Sequence, residues 1–452
     1  MTNGIALGEE ERGARSLTAL VRIAAGMLVL ALIGLASCSG ETGPTPTPGA
    51  APTASSTSRP QATEPVPNVS PTPGKSHISL RVWVPPQFAI ADGSPLFSDV
   101  ISGFEAAYPG IQVDLSVKAA AGKGGLLDLL EGAGQVAPNY LPDLVLMDDA
   151  STTLAAERDL LQPLDAFLTD SASERVFAGI LAIGIRGETR YAMPFGMDFL
   201  HLVYRVPITV SIPLNWSSIL ESDGRYLFAS GGSENYNGDS ILIQYLGLDG
   251  KLTDSEGKAT VDSRLLTRVL DAYKQMADQE ALALDALQLN SPDEVWNRYR
   301  MGEAEFAEVW ASQFKAEAAS LPDTTFARIP TRNGRAATLA HVWTWSIAAR
   351  AVERRQAAAS FLEWVLEPSR QRAWCETARL LPAGAHAWPL PGLSAEYGGF
   401  LRGLAETASP LPAPLRSPEI SAALQQALSQ VILQGVVPKQ AAEEATASMK
   451  LP

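Results

Sequence analysis

The residues with chemistry to offer are few in kind. Four histidines, at 77, 201, 341 and 386, lie far apart, and neither they nor Cys38 and Cys375 have the spacing of a metal site. There is no Walker loop, no His-Glu-x-x-His and no Gly-x-Ser-x-Gly elbow. GAGQVA (132–137) fits Gly-x-Gly-x-x-Ala only after a helix, where a dinucleotide turn would follow a strand. Neither a cofactor nor a metal is expected. What remains is indoles and carboxylates. Trp343 and Trp345 stand two apart in HVWTWSIAAR and so share a strand face. Trp310 ends AEFAEVW, and Trp83 lies just ahead of Pro86, Gln87 and Phe88. Asp148 and Asp149 close PDLVLMDD, Asp198 follows Met197, and Tyr236 sits in the polar loop GGSENYNG. Aromatic faces beside hydrogen-bonding carboxylates and amides suit a polyhydroxylated ring, each stack contributing about 0.5–1.5 kcal/mol if aromatic pairs are a guide. Structural alternatives stand beside each assignment. The indoles serve a core equally well, Asp148 or Asp149 would cap a helix opening at STTLAAE, and Asp198 would pair locally.

These residues need elements to position them. ISLRVWV (78–84) reads as a strand. In PLFSDVISGFEAAYPG, Leu96, Val100, Ile101, Phe104 and Tyr108 recur at helical spacing, with Pro109 and Gly110 as the stop. IQVDLSV (111–117) alternates as a strand, GLLDLLEGAG is a short helix, LPDLVLMDD a buried strand and STTLAAERDLL a helix. That alternation predicts a parallel sheet wrapped by helices. Helical patterns then dominate, in TRVLDAYKQMADQEAL, SPDEVWNRYRMG, ERRQAAASFLEWVLEPS and SPEISAALQQALSQVILQG. Strands return at 303–311 and 341–350, where they are expected to complete the first sheet. Trp216, Trp296, Trp364 and Trp374 fall on helical patterns and are expected in the core.

The first 76 residues follow different rules. Arg12, Arg15 and Arg22 precede an apolar run, Ile23 to Leu35, that is too short to span ~30 Å of hydrocarbon. Leu35-Ala36-Ser37-Cys38 resembles the lipobox of bacterial lipoproteins, so residues 1–37 are expected to be a signal peptide and Cys38 the lipidated N-terminus. From Ser39 to Ser76 the chain is nearly all Pro, Thr, Ser, Ala and Gly, which cannot bury enough surface to offset its ordering entropy. Residues 38–76 are therefore expected to be a disordered linker.

Composition bounds the rest. The body from His77 is long enough for two domains and holds no further run of eighteen apolar residues. Cys375 has no intrachain partner once Cys38 is lipidated, which excludes a structural disulfide. A net charge of −14 argues against nucleic acid as a partner.

In order along the body come ISLRVWV, FEAAYPGIQVDLSV, PDLVLMDD with LLQPLDAFL, YAMPFGMDFLHLVYR, PLNWSSILES, GEAEFAEVWASQF, VWTWSIAAR and AAASFLEWVLEPSRQRAWCETARLLPA. This series resembles the extracellular solute-binding lipoproteins of ABC importers, in the carbohydrate-binding group that includes maltose-binding protein. The resemblance implies an α/β, two-lobed periplasmic-binding-protein-like fold of type II, with an interlobe cleft and hinge strands. Residues 77–196 plus 304–348 would form the N-terminal lobe and residues 197–303 plus 349–452 the C-terminal lobe, with YAMPFGMDFLHLVYR running through the first hinge. It implies a monomer that is not an enzyme, held at the membrane by a lipid anchor, which captures a sugar and delivers it to ABC permease subunits. Trp310 would hold the place of a sugar-stacking tryptophan. Trp83, Gln87, Asp148, Asp149, Asp198, Tyr236, Trp343 and Trp345 complete the candidate ligand set. The family's final helical block often adds an aromatic, but SPEISAALQQ offers none, which counts against a maltose-like oligosaccharide mode. Two other functions fit the same residues. One is a cationic solute such as a polyamine, caged by Asp148, Asp149, Asp198 and aromatic rings. The other is a secreted carbohydrate-acting hydrolase using an acidic pair.

Overall fold

Residues Ile78–Val84 (β1) and Ile111–Val117 (β2) pair in parallel from Ile78–Ile111 to Val84–Val117. A parallel pair needs a crossover, and Leu96–Ala107 (α1) supplies it, burying Val100 and Phe104. The computed structural model describes residues 77–451, apart from 90–95, 137–139, 169–174, 207–211, 213–214 and 233–236. Cys38, the segments 1–37 and 38–76, and Tyr236 lie outside the described residues.

The alternation continues with Leu126–Val136 (α2), Leu144–Asp148 (β3) and Asp149–Glu157 (α3). β3 runs parallel to β1 and is buried up to Asp148, as a strand covered on both faces should be. A small hairpin, Ile185–Arg186 (β4) with Thr189–Arg190 (β5), stands apart. Met193–Arg205 (β6) then runs for 13 residues, buried along its whole length except at Arg205.

β6 is the strand on which the architecture turns. Its first half pairs antiparallel with Leu339–Ile347 (β10), which inserts between β3 and β6, while Leu381–Pro382 (β11) takes Gly196 and Met197. A register shift at Trp343/Thr344 accommodates Pro194, which cannot donate to a ladder. Gly196 leaves room for the segment behind it: a Cβ there would come within 3.2 Å of Leu380. The second half of β6 pairs with Phe306–Trp310 (β8), from Leu200–Trp310 to Tyr204–Phe306, and with Thr324–Ala327 (β9). Tyr226–Leu227 (β7) extends this half in parallel with β8. Ser409–Pro410 (β12) joins the start of β10.

Only one of the two returning strands therefore completes the first sheet. β10 does so, but β8 joins the opposite half, because β10 already occupies the edge of β6 that residues 193–199 present. The grouping of 304–348 with the first lobe does not match this pairing at β8. Nor does the grouping of 349–452 with the second lobe match the helices Val352–Val365 (α9) and Pro368–Thr377 (α10), which pack on the first sheet. Phe361 meets Phe104 edge-on at 5.0 Å, the Trp364 Nε1–H donates to Val100 O at 3.2 Å, and the Trp374 Nε1–H donates to Phe88 O at 3.0 Å. These indoles, with buried Trp216 and Trp296, serve the core as expected.

Around the β7–β8 half lie Trp216–Leu220 (α4), Asp239–Gly247 (α5), Ser263–Asp278 (α6), Pro292–Arg300 (α7) and Ala311–Glu317 (α8). The last helices are Ala395–Thr407 (α11), Pro418–Leu433 (α12) and Pro438–Ser448 (α13), with α12 and α13 packed on α6. Contacts run across the shared strand, so the described residues form one unit. Among the described residues no helix is long and apolar enough to cross a membrane.

Candidate functional site

The carboxyl end of β3, the start of β10 and the end of β8 converge, and the polar side chains gather there. Trp343 pairs across from Asp148, His341 across from Asp198, and Leu200 across from Trp310. Ligands of open α/β sheets sit beyond the carboxyl ends of the strands, and this is that position.

Asp148 is the N-cap of α3. It accepts from the Ser151 N–H at 2.9 Å and from Ser151 Oγ at 2.7 Å, so its structural alternative holds. Asp149, the first residue of the helix, is buried, and burial pushes its carboxyl up to about 7, with Arg416 opposing the shift. Its Oδ1 lies 3.5 Å from Arg416 Nε. Asp239 opens α5 in the same way, and helix N-termini favour such acids. Its Oδ2 contacts His341 Nε2 and lies 3.7 Å from Arg416 Nη1. Arg416 donates from Nη1 to His341 Nδ1 at 2.9 Å and from Nη2 to Ala340 O at 3.1 Å. A neutral His341 with its proton on Nε2 satisfies both neighbours. Burial, reinforced by Arg416, holds that imidazole below its ordinary pKa.

Trp310 stands against this cluster, its ring 4.7 Å from His341 and edge-to-face at 79°. Trp343, two residues on from His341, is half-buried and meets Phe88 at 5.4 Å, beside half-buried Gln87 in the turn Pro86–Phe88. Asp198 is buried and accepts from Phe199 N–H at 2.9 Å, Ser312 N–H at 3.2 Å and Ser312 Oγ at 2.5 Å, which ties β6 to α8. Burial pushes Asp198 up to about 7 against those hydrogen bonds. Behind it Glu308 accepts from Tyr226 OH at 2.6 Å and Ser240 Oγ at 2.5 Å and is likewise pushed by burial to about 7.

The structure thus brings Gln87, Asp148, Asp149, Asp198, Trp310 and Trp343 to one end of the sheet. Two candidates go elsewhere. Trp83 packs into a separate core with Leu126, Leu130 and Val145, with the Lys118 ammonium 5.4 Å from its ring. Trp345 is fully buried among Phe195, Phe361 and Trp374. It shares a face with Trp343 but lies deeper along the strand, where α9 and α10 close over the sheet. The three aspartates of the proposed cation cage are all engaged: Asp148 with Ser151, Asp149 with Arg416, and Asp198 with Ser312.

Glu308, His341, Asp239 and Arg416 escaped the sequence reading. Period-two spacing could have found the first two, since Glu308 precedes Trp310 and His341 precedes Trp343 by two residues. Asp239 and Arg416 carry no such signal.

A cleft of about 810 Å³ opens beside the cluster. It is lined by Asp149, Thr153 and Glu157 of α3, the segment 182–185, Leu246, residues 250–253 and 257–259, and Ser409–Pro414. Its described lining holds no tryptophan, so the indoles reach it only through the chain from Trp310 to His341, Asp239, Arg416 and Asp149. Among the described residues no group of three or more His, Cys, Asp or Glu is arranged to hold a metal ion.

Residues 100–389 match the family of bacterial extracellular solute-binding proteins, and the chain belongs to that family. It is accordingly an extracytoplasmic binding protein by class. Among solved structures it is similar to maltose-bound MalE3 of T. maritima (17% identity, TM-score 0.66), covering 82% of this chain and 99% of that one. The sugar-binding protein MalE of Xanthomonas citri is similar at 18% identity and TM-score 0.67, covering 82% and 96%. The cyclic alpha-maltosyl-1,6-maltose binding protein of Arthrobacter globiformis is similar at 15% identity and TM-score 0.66, covering 82% and 98%. No curated protein matches the chain. The fold is the two-lobed, type II binding-protein fold, with β6 common to both halves.

Proposed function

We propose that this chain captures a sugar in the cleft beside Asp149 and delivers it to an ABC permease, without catalysing a reaction. The lobes would meet at β6, and Cys38 would carry a lipid anchor that keeps the capturing body beside its transporter at high effective concentration. The observation that carries the reading is the convergence of Trp310, His341, Asp239, Arg416 and Asp149 at the carboxyl end of the sheet. Ring edges, a guanidinium and carboxylates there offer the donors and acceptors a polyol needs. The maltose-bound and maltose-derivative-binding proteins named above support it, since they bind sugars on the same fold. Closure would follow from differential affinity: a ligand touching both halves stabilises only the arrangement in which both contacts exist.

A thermal-shift screen of the body from residue 77 against sugars, polyamines and amino acids tests this. A sugar at a hundredfold excess over its Kd should stabilise the fold by ~2.7 kcal/mol, and Trp310→Ala, which removes the ring that backs His341, should reduce the shift. Stabilisation by polyamines alone, or a sugar response untouched by Trp310→Ala, would sink the reading.

A further inference from the structure

Five carboxylates lie at this end of the sheet, Asp149 alone among them lining the cleft, and three are satisfied by neutral donors: Asp148 by Ser151, Asp198 by Ser312, and Glu308 by Tyr226 and Ser240. The other two, Asp149 and Asp239, come from the first turns of different helices and both face Arg416. Asp239 is 1% exposed and Arg416 5% exposed. One oxygen of Asp239, Oδ1, is buried with no hydrogen-bond partner, so this carboxylate retains accepting capacity. Arg416 is not part of the sheet; it arrives from the turn ahead of α12, whose cap is Ser417. Its fork is held on three sides, by Asp149 at Nε, by His341 and Asp239 at Nη1, and by Ala340 O at Nη2.

Arg416 is the cation the two buried carboxylates share, its Nε 3.5 Å from Asp149 and its Nη1 3.7 Å from Asp239. We propose that Arg416 is a resident counter-ion that sets the charge preference of the cleft. Its guanidinium sits behind Asp149 of the cleft wall, neutralises the acidic pair there, shuts out cationic solutes and leaves the cleft to a neutral one. The inference rests on the cleft being the solute site. It makes Arg416 a specificity-determining residue, and the vacancy left without it should have the shape and charge of a guanidinium.

The test uses wild-type protein, Arg416→Ala and Arg416→Met, each titrated with methylguanidinium, methylammonium and sodium chloride at matched ionic strength and followed by thermal shift and calorimetry. Arg416→Ala should bind methylguanidinium saturably and at least tenfold more tightly than wild type does. It should prefer it to methylammonium, which lacks the planar fork. Arg416→Met fills the space without the charge and should bind neither ion, and adding Asp239→Asn to Arg416→Ala should remove the binding. A folded Arg416→Ala with no saturable methylguanidinium binding, or with no preference over methylammonium, overturns the proposal. If Arg416→Ala does not fold alone, refolding in methylguanidinium but not in sodium chloride supports the proposal, and recovery in neither overturns it. The wild-type sugar screen is independent of these titrations, so failure of the sugar reading and failure of this one give different results.

Discussion

Asp149, Asp198 and Glu308 lose water on folding, and burial pushes all three carboxyls up to about 7. The sign of the consequence follows from linkage. Between the ordinary carboxylate range near 4 and about 7, the folded chain holds protons that the unfolded chain has released, so stability falls as pH rises through that window. Asp198→Asn keeps an acceptor for the Ser312 and Phe199 N–H groups but removes the titration. The drop in unfolding free energy between pH 4 and pH 8 should therefore shrink by up to about 4 kcal/mol in the variant. Urea titrations at the two pH values would show it, and an unchanged drop would contradict the assignment. Trp345 makes a second case, because its indole N–H is buried without a partner. Trp345→Phe should cost clearly less than Trp345→Ala, since no hydrogen bond is lost and only part of the ring's space is emptied, whereas Trp345→Ala should cost about 3–5 kcal/mol through the cavity it opens. Equal losses from both would mean that the N–H has an acceptor.

At the scale of elements, Asp143 holds the amino end of the first sheet together. It accepts from the Arg81 N–H at 2.8 Å and from Arg354 at 2.6 and 2.5 Å, while its carbonyl accepts from the Ala348 N–H at 3.0 Å. One buried residue so links β1, β3, the exit of β10 and α9. Asp143→Ala strands the Arg81 N–H and frees α9, and we expect a loss of about 2–4 kcal/mol, read as a lower urea midpoint, with the cleft residues unaffected. A loss below 1 kcal/mol would show that water replaces the carboxylate. Most elements were legible beforehand for a local reason. ISLRVWV, IQVDLSV and HVWTWSIAAR carry their strand pattern within seven to ten residues, and the strands built from them follow it closely. The partner of a strand is a different matter. Nothing in EAEFAEVWA says that it pairs with residues 200–204 rather than joining the first sheet, because both edges offer the same backbone donors and acceptors.

For the whole molecule, the two halves share β6, and the candidate site lies where its pairing passes from β10 to β8. A ligand gripped there would touch groups from both halves, which is what closure needs. The proposed anchor belongs to this scale too. Cys38→Ser should release the protein from the membrane fraction into the soluble fraction, because a single unlipidated segment offers no comparable hold. Retention of the Cys38→Ser protein on membranes would refute lipidation at that position.

Local pattern was enough to determine that this chain is α/β, with its strands and helices in order and its indoles and aspartates on definable faces. The tertiary structure decided which of those residues meet. Trp343 and Trp345 share a face, yet only the helices packed over the strand distinguish a half-buried ring from a fully buried one. Arg416 reaches His341 across 75 residues, and His341 reaches Asp239 across 102. Periodicity reports how one segment divides between core and water. Pairing between charges so far apart depends on how segments cross in space, and no stretch of a dozen residues carries that information.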